Sequence, residues 1–441
     1  MSTAALLSAE PQPSTFGPQA WNLPTRIAFR FVCLYLTLYC LPGGDRSSLV
    51  DAVPKIDEWI TAKFWAPWKA LCPWVAVHVF HLSGPVTQYH PTGSGDTTLD
   101  YVNVFCFLVI AAVGTLVWSL LDRKRTDYRT LYAWLRLLVR YTLAITLISY
   151  GFVKLWPLQF PQPSLTLLVR SYGESSPMGL LWTFMGASRA YTFFAGSGEL
   201  VAGLLLCFRR TTVLGALVAI GVMANVVALN FFYDVPVKLY SSHLLLMAVF
   251  LLLPDVKALW SFFILHRPAT PDGLWIAPFR RRWMRIGSVV LQAAFIISIL
   301  WGNFANCTKT LKEYAAEGQP SPLYGLWRVD SFVTLDGKTP ASTWQRAVLD
   351  TTTLSAIYLD DGTSVRFLTQ YDSANKHISF KSRRTQHSGE LAYSQPDAAH
   401  LSLTGLVDGQ KVQISLHKVP TAAFLLTSRG FHWINEDPFN R

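Results

Sequence analysis

The sequence predicts a polytopic α-helical membrane bundle of about seven transmembrane helices, followed by a C-terminal antiparallel β sandwich or barrel. Seven apolar stretches before residue 305 are each long enough to cross a hydrocarbon core of about 30 Å. Hydrophobic residues make up 51% of the chain and charged residues only 15%, which is unusual for a soluble enzyme. Beyond residue 305, alternating apolar residues between turn signals indicate strands.

The apolar runs and the residues that interrupt them divide the chain into five regions. These are a polar N-terminus (1–25), two membrane helices with a long loop (26–130), a second group of membrane helices (131–255), a basic loop with the last helix (256–305), and the β domain (320–441). The crossings are expected near residues 26–42, 99–121, 131–156, 190–208, 211–232, 237–253 and 285–304.

Basic residues are concentrated in the connections after the second, fourth and sixth crossings. Positively charged loops stay in the cytoplasm, so these connections and the N-terminus are expected there and the β domain outside. A multi-pass protein of the inner, cytoplasmic membrane of a bacterium fits this topology. The net charge of +11 is explained by the loops and by anionic lipid, and no nucleic-acid partner is expected.

The long outer connection, residues 44–98, contains tryptophans interspersed with lysines. Such a segment lies along the membrane interface or forms a partly buried lid helix, and the sequence leaves both open. Pro67 and Pro73 argue against one unbroken membrane-spanning helix. The six cysteines lack the spacing of a metal site, but Cys72 and Cys307, both expected outside, are candidates for a disulfide.

The β domain is indicated by hairpin turn pairs between the apolar alternations. The pairs are Asp336-Gly337, Asp361-Gly362 and Asp408-Gly409. Gly325 and Trp327, together with Arg429, give the segment a faint similarity to a lipocalin-like barrel. The alternative is a tryptophan that closes a small core filled by side chains.

Glu199 is the residue that lipid would tolerate least. It lies about nine residues into the fourth crossing, hence near the membrane midplane, where a carboxyl is a functional-site candidate. Gly196, Glu199 and Gly203 share one face of a helix, and such small-residue stripes allow close helix packing. Glu199 is therefore expected to face protein, neutral or paired, and able to transfer protons.

Further polar residues are expected at the outer half of the bundle, where their depth allows them to line one outward-facing pocket. The full set is Tyr150, Lys154, Glu199, Asn225, Asn230, Asp234 and His243. Each has a simpler interpretation. Lys154 and Asp234 would extend their charged groups to the membrane interface, and the asparagines would form hydrogen bonds between helices. His243 would be a core histidine whose ring nitrogens are both hydrogen-bonded.

The segment from Arg140 to Asp255 resembles the DoxX/DoxD membrane family, on the stretches SYGFVKLWPLQF and AGSGELVAGLLLCFRRT. The matching positions are Gly151 and Lys154, and Gly198, Glu199 and Gly203. The resemblance implies a four-helix unit associated in some members with membrane redox chemistry, including a quinone-reducing complex. The region is more distantly similar to the membrane part of vitamin-K-dependent carboxylases. Three further crossings and the β domain depart from the small DoxX pattern.

The sequence therefore favours a redox-linked membrane protein that binds a quinone-like, lipid-soluble substrate and, if it is an enzyme, acts as a quinone-linked oxidoreductase. Glu199 or His243 would accept protons and Lys154 would stabilise an oxyanion. The substrate would be bound by Tyr150, Asn225, Asn230 and Asp234. No cofactor other than a quinone is expected, and electrons would come from or go to a partner protein, a disulfide or the substrate.

Two other classes of function remain open from the sequence. The protein would then be a non-enzymatic lipid-binding or complex-assembly factor, or a proton-coupled transporter that uses Glu199. The crossings show no convincing inverted repeat, which argues against the transporter.

The topology predicts opposite labelling at two positions. A cysteine introduced at Ser364, in the β domain, should react with a membrane-impermeant thiol reagent in intact cells. One at Thr126, in a basic connection, should react only after the cells are opened. Labelling in the reverse order would show that the orientation is inverted.

Overall fold

The computed structural model describes residues 20–43, 46–53, 57–90, 92–268, 281–337, 342–351, 355–382 and 385–439. It confirms the predicted fold class, a helical membrane bundle followed by an antiparallel β domain. Within these residues, seven helices are long and apolar enough to cross a membrane. They are Leu23–Cys40, Thr98–Leu121, Arg129–Leu155, Arg189–Cys207, Arg209–Phe232, Lys238–Phe263 and Arg282–Ala316. Each begins within about three residues of a predicted crossing.

The helices are numbered in chain order. They are α1 (Leu23–Cys40), α2 (Asp57–His78), α3 (Thr98–Leu121), α4 (Arg129–Leu155), α5 (Leu165–Leu168), α6 (Pro177–Ala187), α7 (Arg189–Cys207), α8 (Thr212–Phe232), α9 (Lys238–Leu252), α10 (Val256–Phe263), α11 (Arg282–Glu317) and α12 (Leu425–Ser428). The chain divides into two compact units. We call Met1–Ser149 with Glu199–Gly302 the helical body, and Tyr150–Gly198 with Asn303–Arg441 the barrel body.

In the helical body, a buried arginine joins α1 to the segment after α3. Arg30 is only 2% exposed, and its Nε and Nη2 donate hydrogen bonds to the Tyr128 hydroxyl at 2.9 and 2.7 Å. Its Nη1 donates to Ser119 Oγ at 2.7 Å. Because a guanidinium in an apolar span needs hydrogen-bond acceptors around it, these bonds join α1 to the end of α3 and the segment that follows it.

The outer connection forms α2, a continuous helix that contains both Pro67 and Pro73. It is not among the helices suited to span a membrane. Val75 lies in one core cluster with residues of α3, whereas Trp59 and Trp74 are 65% and 54% exposed. The helix thus has features of both a partly buried lid and an interfacial helix. One face packs on α3, and Trp59 and Trp74 are exposed.

All six cysteines are buried free thiols, so the predicted disulfide between Cys72 and Cys307 is wrong. Cys72 is packed instead in the core that α2 forms with α3.

The start of α9 is capped by a residue from a distant loop. Asp96 accepts hydrogen bonds from the backbone N–H groups of Lys238 and Leu239 at 2.8 and 2.9 Å. These groups have no partner within the helix, and a negative charge is favourable at a helix N-terminus. Asp96 therefore fixes the loop before α3 to the turn between α8 and α9.

In the barrel body, eight strands form a closed antiparallel barrel in which each strand pairs with the next and β1 pairs with β8. The strands are β1 (Pro320–Thr334), β2 (Trp344–Thr351), β3 (Ser355–Leu359), β4 (Ser364–Asp372), β5 (His377–Ser382), β6 (Ser388–Ser394), β7 (His400–Val407) and β8 (Gln410–Val419). β1 closes the barrel because a register shift between Val329 and Ser331 bends it from one neighbour to the other. The predicted turn glycines Gly337, Gly362 and Gly409 all have positive φ.

Side chains fill the barrel interior. Trp327 is completely buried, and its Nε1 donates a hydrogen bond to the Leu323 carbonyl at 2.9 Å. Lys418 Nζ lies 5.5 Å from the Trp327 ring, whereas Arg429 donates a hydrogen bond to Asn435 outside the barrel. A cavity of about 20 Å³ remains, room for about one water molecule, so the interpretation of a filled core is confirmed.

The Asp96 cap predicts a loss of stability on substitution. Asp96→Ala should lower the free energy of unfolding by about 1–2 kcal/mol, because the first N–H groups of α9 lose their acceptor. Asp96→Asn should retain most of the stability of the unaltered protein, because the amide oxygen still accepts. Thermal unfolding in detergent measures the effect, with the exposed Asp437→Ala as the matched control. Equal melting temperatures for Asp96→Ala and the control would contradict the role of the cap.

Candidate functional site

Lys154 lies at the end of α4, in the barrel body, and is 7% exposed. Its Nζ lies 5.4 Å from the ring centre of Tyr150, one helical turn earlier, within the range of a cation–π interaction. A Cβ atom added at Gly196 of α7 would lie 2.7 Å from Lys154 Cβ. The absence of a side chain at Gly196 is therefore what allows α7 to approach α4 so closely.

Glu199 lies in the helical body and is 3% exposed. On the same face of α7, a Cβ atom added at Gly203 would lie 2.9 Å from the Ala144 carbonyl of α4. The glycine stripe is thus a packing surface, as its spacing predicts. The burial agrees with the expectation that the carboxyl faces protein, while its role in proton transfer stays a prediction.

His243, near the start of α9, lies among aromatic rings of α1. The ring of Tyr39 is stacked on the imidazole at 4.0 Å, with the two planes 5° apart. The Tyr35 hydroxyl lies 2.6 Å from His243 Nε2. Tyr35, Tyr39 and His243 are 8%, 4% and 9% exposed, so the imidazole is enclosed by the helices.

The hydrogen bonds of His243 determine its tautomer. Nδ1 lies 2.7 Å from the Leu239 carbonyl oxygen, which only accepts, so in the neutral ring Nδ1 carries the hydrogen. Nε2 is then the acceptor, and the Tyr35 hydroxyl donates to it. Tyr35 and His243 therefore form a buried, hydrogen-bonded pair.

A cation from the loop after α1 lies beside this pair. Arg46 Cζ is 4.9 Å from the ring centre of Tyr39, 5.5 Å from that of Trp65 and 5.1 Å from that of Phe107. Its Nη1 donates a hydrogen bond to Asn103 Oδ1 at 3.3 Å. The guanidinium of Arg46 is thus in cation–π contact with three aromatic rings.

We call Tyr35, Tyr39, His243, Arg46, Trp65, Phe107 and Asn103 the Arg46 cluster. The members come from α1, α2, α3, α9 and the loop after α1. All of them belong to the helical body, at the end of the bundle that the topology predicts to be the outer one.

The remaining predicted residues lie elsewhere on α8 and its turn. Asn230 is buried and donates to Ser241 Oγ of α9 at 3.0 Å, so it is a bond between helices, as its simpler interpretation expects. Asn225 lies on the exposed face of α8. The Asp234 side chain is 84% exposed and forms an ion pair with Lys238 at 2.8 Å. The geometry gives no support to substrate binding by these three residues, which stays a prediction.

Sequence reasoning missed Tyr35, Tyr39 and Arg46. A signal was present, because Tyr35 and Tyr39 are four residues apart and share a helix face. Arg46 follows them at the start of the long connection expected on the outer side, where no pattern in the sequence distinguishes it from the other basic residues of that connection.

The fold and this site define a class of protein, a multi-pass helical membrane protein that carries an eight-stranded barrel and a half-buried arginine beside a buried tyrosine–histidine pair. Over 106 residues the chain is 31% identical to the uncharacterized protein YwoB of Bacillus subtilis (strain 168). The match covers 22% of this chain and 69% of that protein, and the chain therefore belongs to the family of YwoB. No family model and no solved structure matches the chain.

Proposed function

We propose that the protein is redox-linked and binds a quinone-like, lipid-soluble aromatic substrate at the Arg46 cluster. The observation that carries the proposal is the 2.6 Å contact between Tyr35 and His243 Nε2, buried beside the guanidinium of Arg46. A proton-transfer pair, a fixed cation and several aromatic faces are thus present together in an apolar setting.

These groups match the chemistry of a quinone. A quinone and its hydroquinone differ by two protons and two electrons, so the site must supply or accept protons where water is scarce. Tyr35 exchanges a proton with the substrate oxygen, and His243 Nε2 replenishes or accepts it. Arg46 stabilises the negative charge that develops on that oxygen. The ring of Trp65, which is partly exposed, offers a stacking surface to the substrate ring.

Glu199 and Lys154 keep the roles that their sequence context suggests in this proposal. Glu199 is a buried carboxyl able to transfer a proton, and Lys154 is a cation able to stabilise an oxyanion. The resemblance of this region to the DoxX/DoxD family supports the assignment, since redox chemistry occurs in some of its members. The site faces the outside of a bacterial cytoplasmic membrane, and a partner protein exchanges electrons with it.

A non-enzymatic assembly function is the second candidate. After the barrel, the side chains of Phe431, Trp433 and Ile434 are 76%, 91% and 76% exposed. Exposed apolar patches are typical of surfaces that bind another protein or a membrane. In that case the helical body holds a lipid and the barrel body recruits the partner.

The proposal predicts that one hydroxyl is critical for function. Tyr35→Phe keeps the ring but removes the proton that the hydroxyl gives to His243 Nε2, so quinone-linked turnover should fall by about 10²–10⁴. Quinone binding, measured by equilibrium dialysis, should change little. Tyr191→Phe, on the exposed part of α7, is the matched control. Unchanged turnover in Tyr35→Phe would remove the proton-transfer role and favour the assembly function.

The second prediction concerns Glu199. Glu199→Gln has nearly the same size, so the free energy of unfolding should change by no more than about 1–2 kcal/mol. Loss of the titratable proton should lower turnover by about 10²–10⁴. The exposed Glu313→Gln controls for the substitution itself. A folded Glu199→Gln protein with full activity would show that the carboxyl is structural.

A further inference from the structure

Two thiols lie next to the Arg46 cluster in the core between α2 and α3. Cys72 of α2 and Cys106 of α3 belong to one buried cluster and are 0% and 5% exposed. The Cys106 thiol is within hydrogen-bonding reach of Cys72. The four other cysteines are also buried, but this pair is brought together by the packing of two helices.

Asn103 connects the thiol pair to the Arg46 cluster. Its Nδ2 donates a hydrogen bond to Cys72 Sγ at 3.5 Å, and its Oδ1 accepts from Arg46 Nη1 at 3.3 Å. On α3, Asn103 and Phe107 are one turn apart and both contact Arg46, while Cys106 is adjacent to Phe107. The sulfur atoms are thus one side chain away from the cation beside the proton-transfer pair.

We infer that Cys72 and Cys106 are a redox-active dithiol that reduces the quinone bound at the Arg46 cluster. The inference rests on the proposed function, because the quinone is the oxidant. In this reaction, two thiols and one quinone are converted to one disulfide and one hydroquinone. A bond forms between Cys72 Sγ and Cys106 Sγ and both sulfur–hydrogen bonds are lost. The quinone gains two electrons and a proton on each oxygen.

The surroundings of Cys72 favour this reaction. A hydrogen bond from the Cys106 thiol lowers the pKa of Cys72 to about 6, although burial acts in the opposite direction. The side chains of Tyr89 and Asn103 and the charge of Arg46 also lower it. These interactions favour the thiolate of Cys72, which is the reactive form of cysteine. Arg46, whose charge favours the thiolate, also lies 5.5 Å from the ring centre of Trp65, which is proposed to stack on the quinone.

The test is a single-turnover reaction of the reduced, purified full-length protein without oxygen. The probe is tetramethyl-1,4-benzoquinone, whose ring carbons carry no hydrogen, so that it does not alkylate thiols. We expect one quinone to be converted to hydroquinone per chain, followed by its absorbance. Peptide mapping by mass spectrometry should then show Cys72 linked to Cys106.

Variants distinguish this pair from the other thiols. Cys72→Ser and Cys106→Ser should each abolish the single turnover, and Asn103→Ala should slow it, while Cys33→Ser, a buried cysteine of α1, should leave it unchanged. Peptide mapping of the unaltered protein gives an answer even if a variant does not fold. A linkage between other cysteines, or an unaffected turnover in Cys72→Ser, would overturn the inference.

Equilibrium dialysis with the same quinone separates the two proposals. If the quinone binds the reduced protein but no disulfide forms, the dithiol role is wrong and the proposed function stands. If the quinone does not bind at all, the proposed function fails, and the dithiol role fails with it.

Discussion

A polar side chain inside a bilayer core must find its partners within the protein, and the helical body is organised by this constraint. Arg30 is surrounded by hydroxyl and carbonyl oxygens, Asn230 binds Ser241 across two helices, and His243 has a partner at each ring nitrogen. The bonds of Arg30 and the bond between Tyr35 and His243 join segments that are distant in sequence, and the bond between Asn230 and Ser241 joins two consecutive helices. The polar residues that apolar spans reject are therefore the ones that determine how the spans are packed together.

The Arg46 cluster depends on a loop that returns into the bundle. Ser47 N–H donates a hydrogen bond to the Tyr240 hydroxyl of α9 at 3.2 Å, which fixes the loop next to the cluster. A Cβ atom added at Gly43 would lie 2.5 Å from the ring of Trp65, so only glycine allows α2 to approach here. The cation, the rings and the thiol pair are consequently positioned by a few close contacts between α1, α2 and α3.

The interiors of the two bodies differ in composition. Among the residues that the structure describes, each strand of the barrel pairs with two neighbours, and side chains fill the interior around a cavity of about 20 Å³. The helical body instead holds titratable groups together in an apolar environment, where their protons and charges have large effects. The tyrosine–histidine pair and Arg46 of the proposed site therefore lie in the helical body.

The sequence by itself determined the seven helices, the β domain, its hairpin turns and the burial of Glu199, because hydrophobic period, turn chemistry and the cost of a carboxyl in lipid are local properties. It also indicated His243. Only the tertiary structure decided which residues surround His243, since Tyr35, Arg46 and Asn103 lie on separate segments and their meeting depends on helix packing. The depth of a residue along its helix was predictable, but the direction of its side chain was not. For this reason the sequence placed Asn225 in the predicted pocket, whereas the structure places it on the exposed face of α8. The partner of Cys72 was decided in the same way, by the packing of α2 on α3.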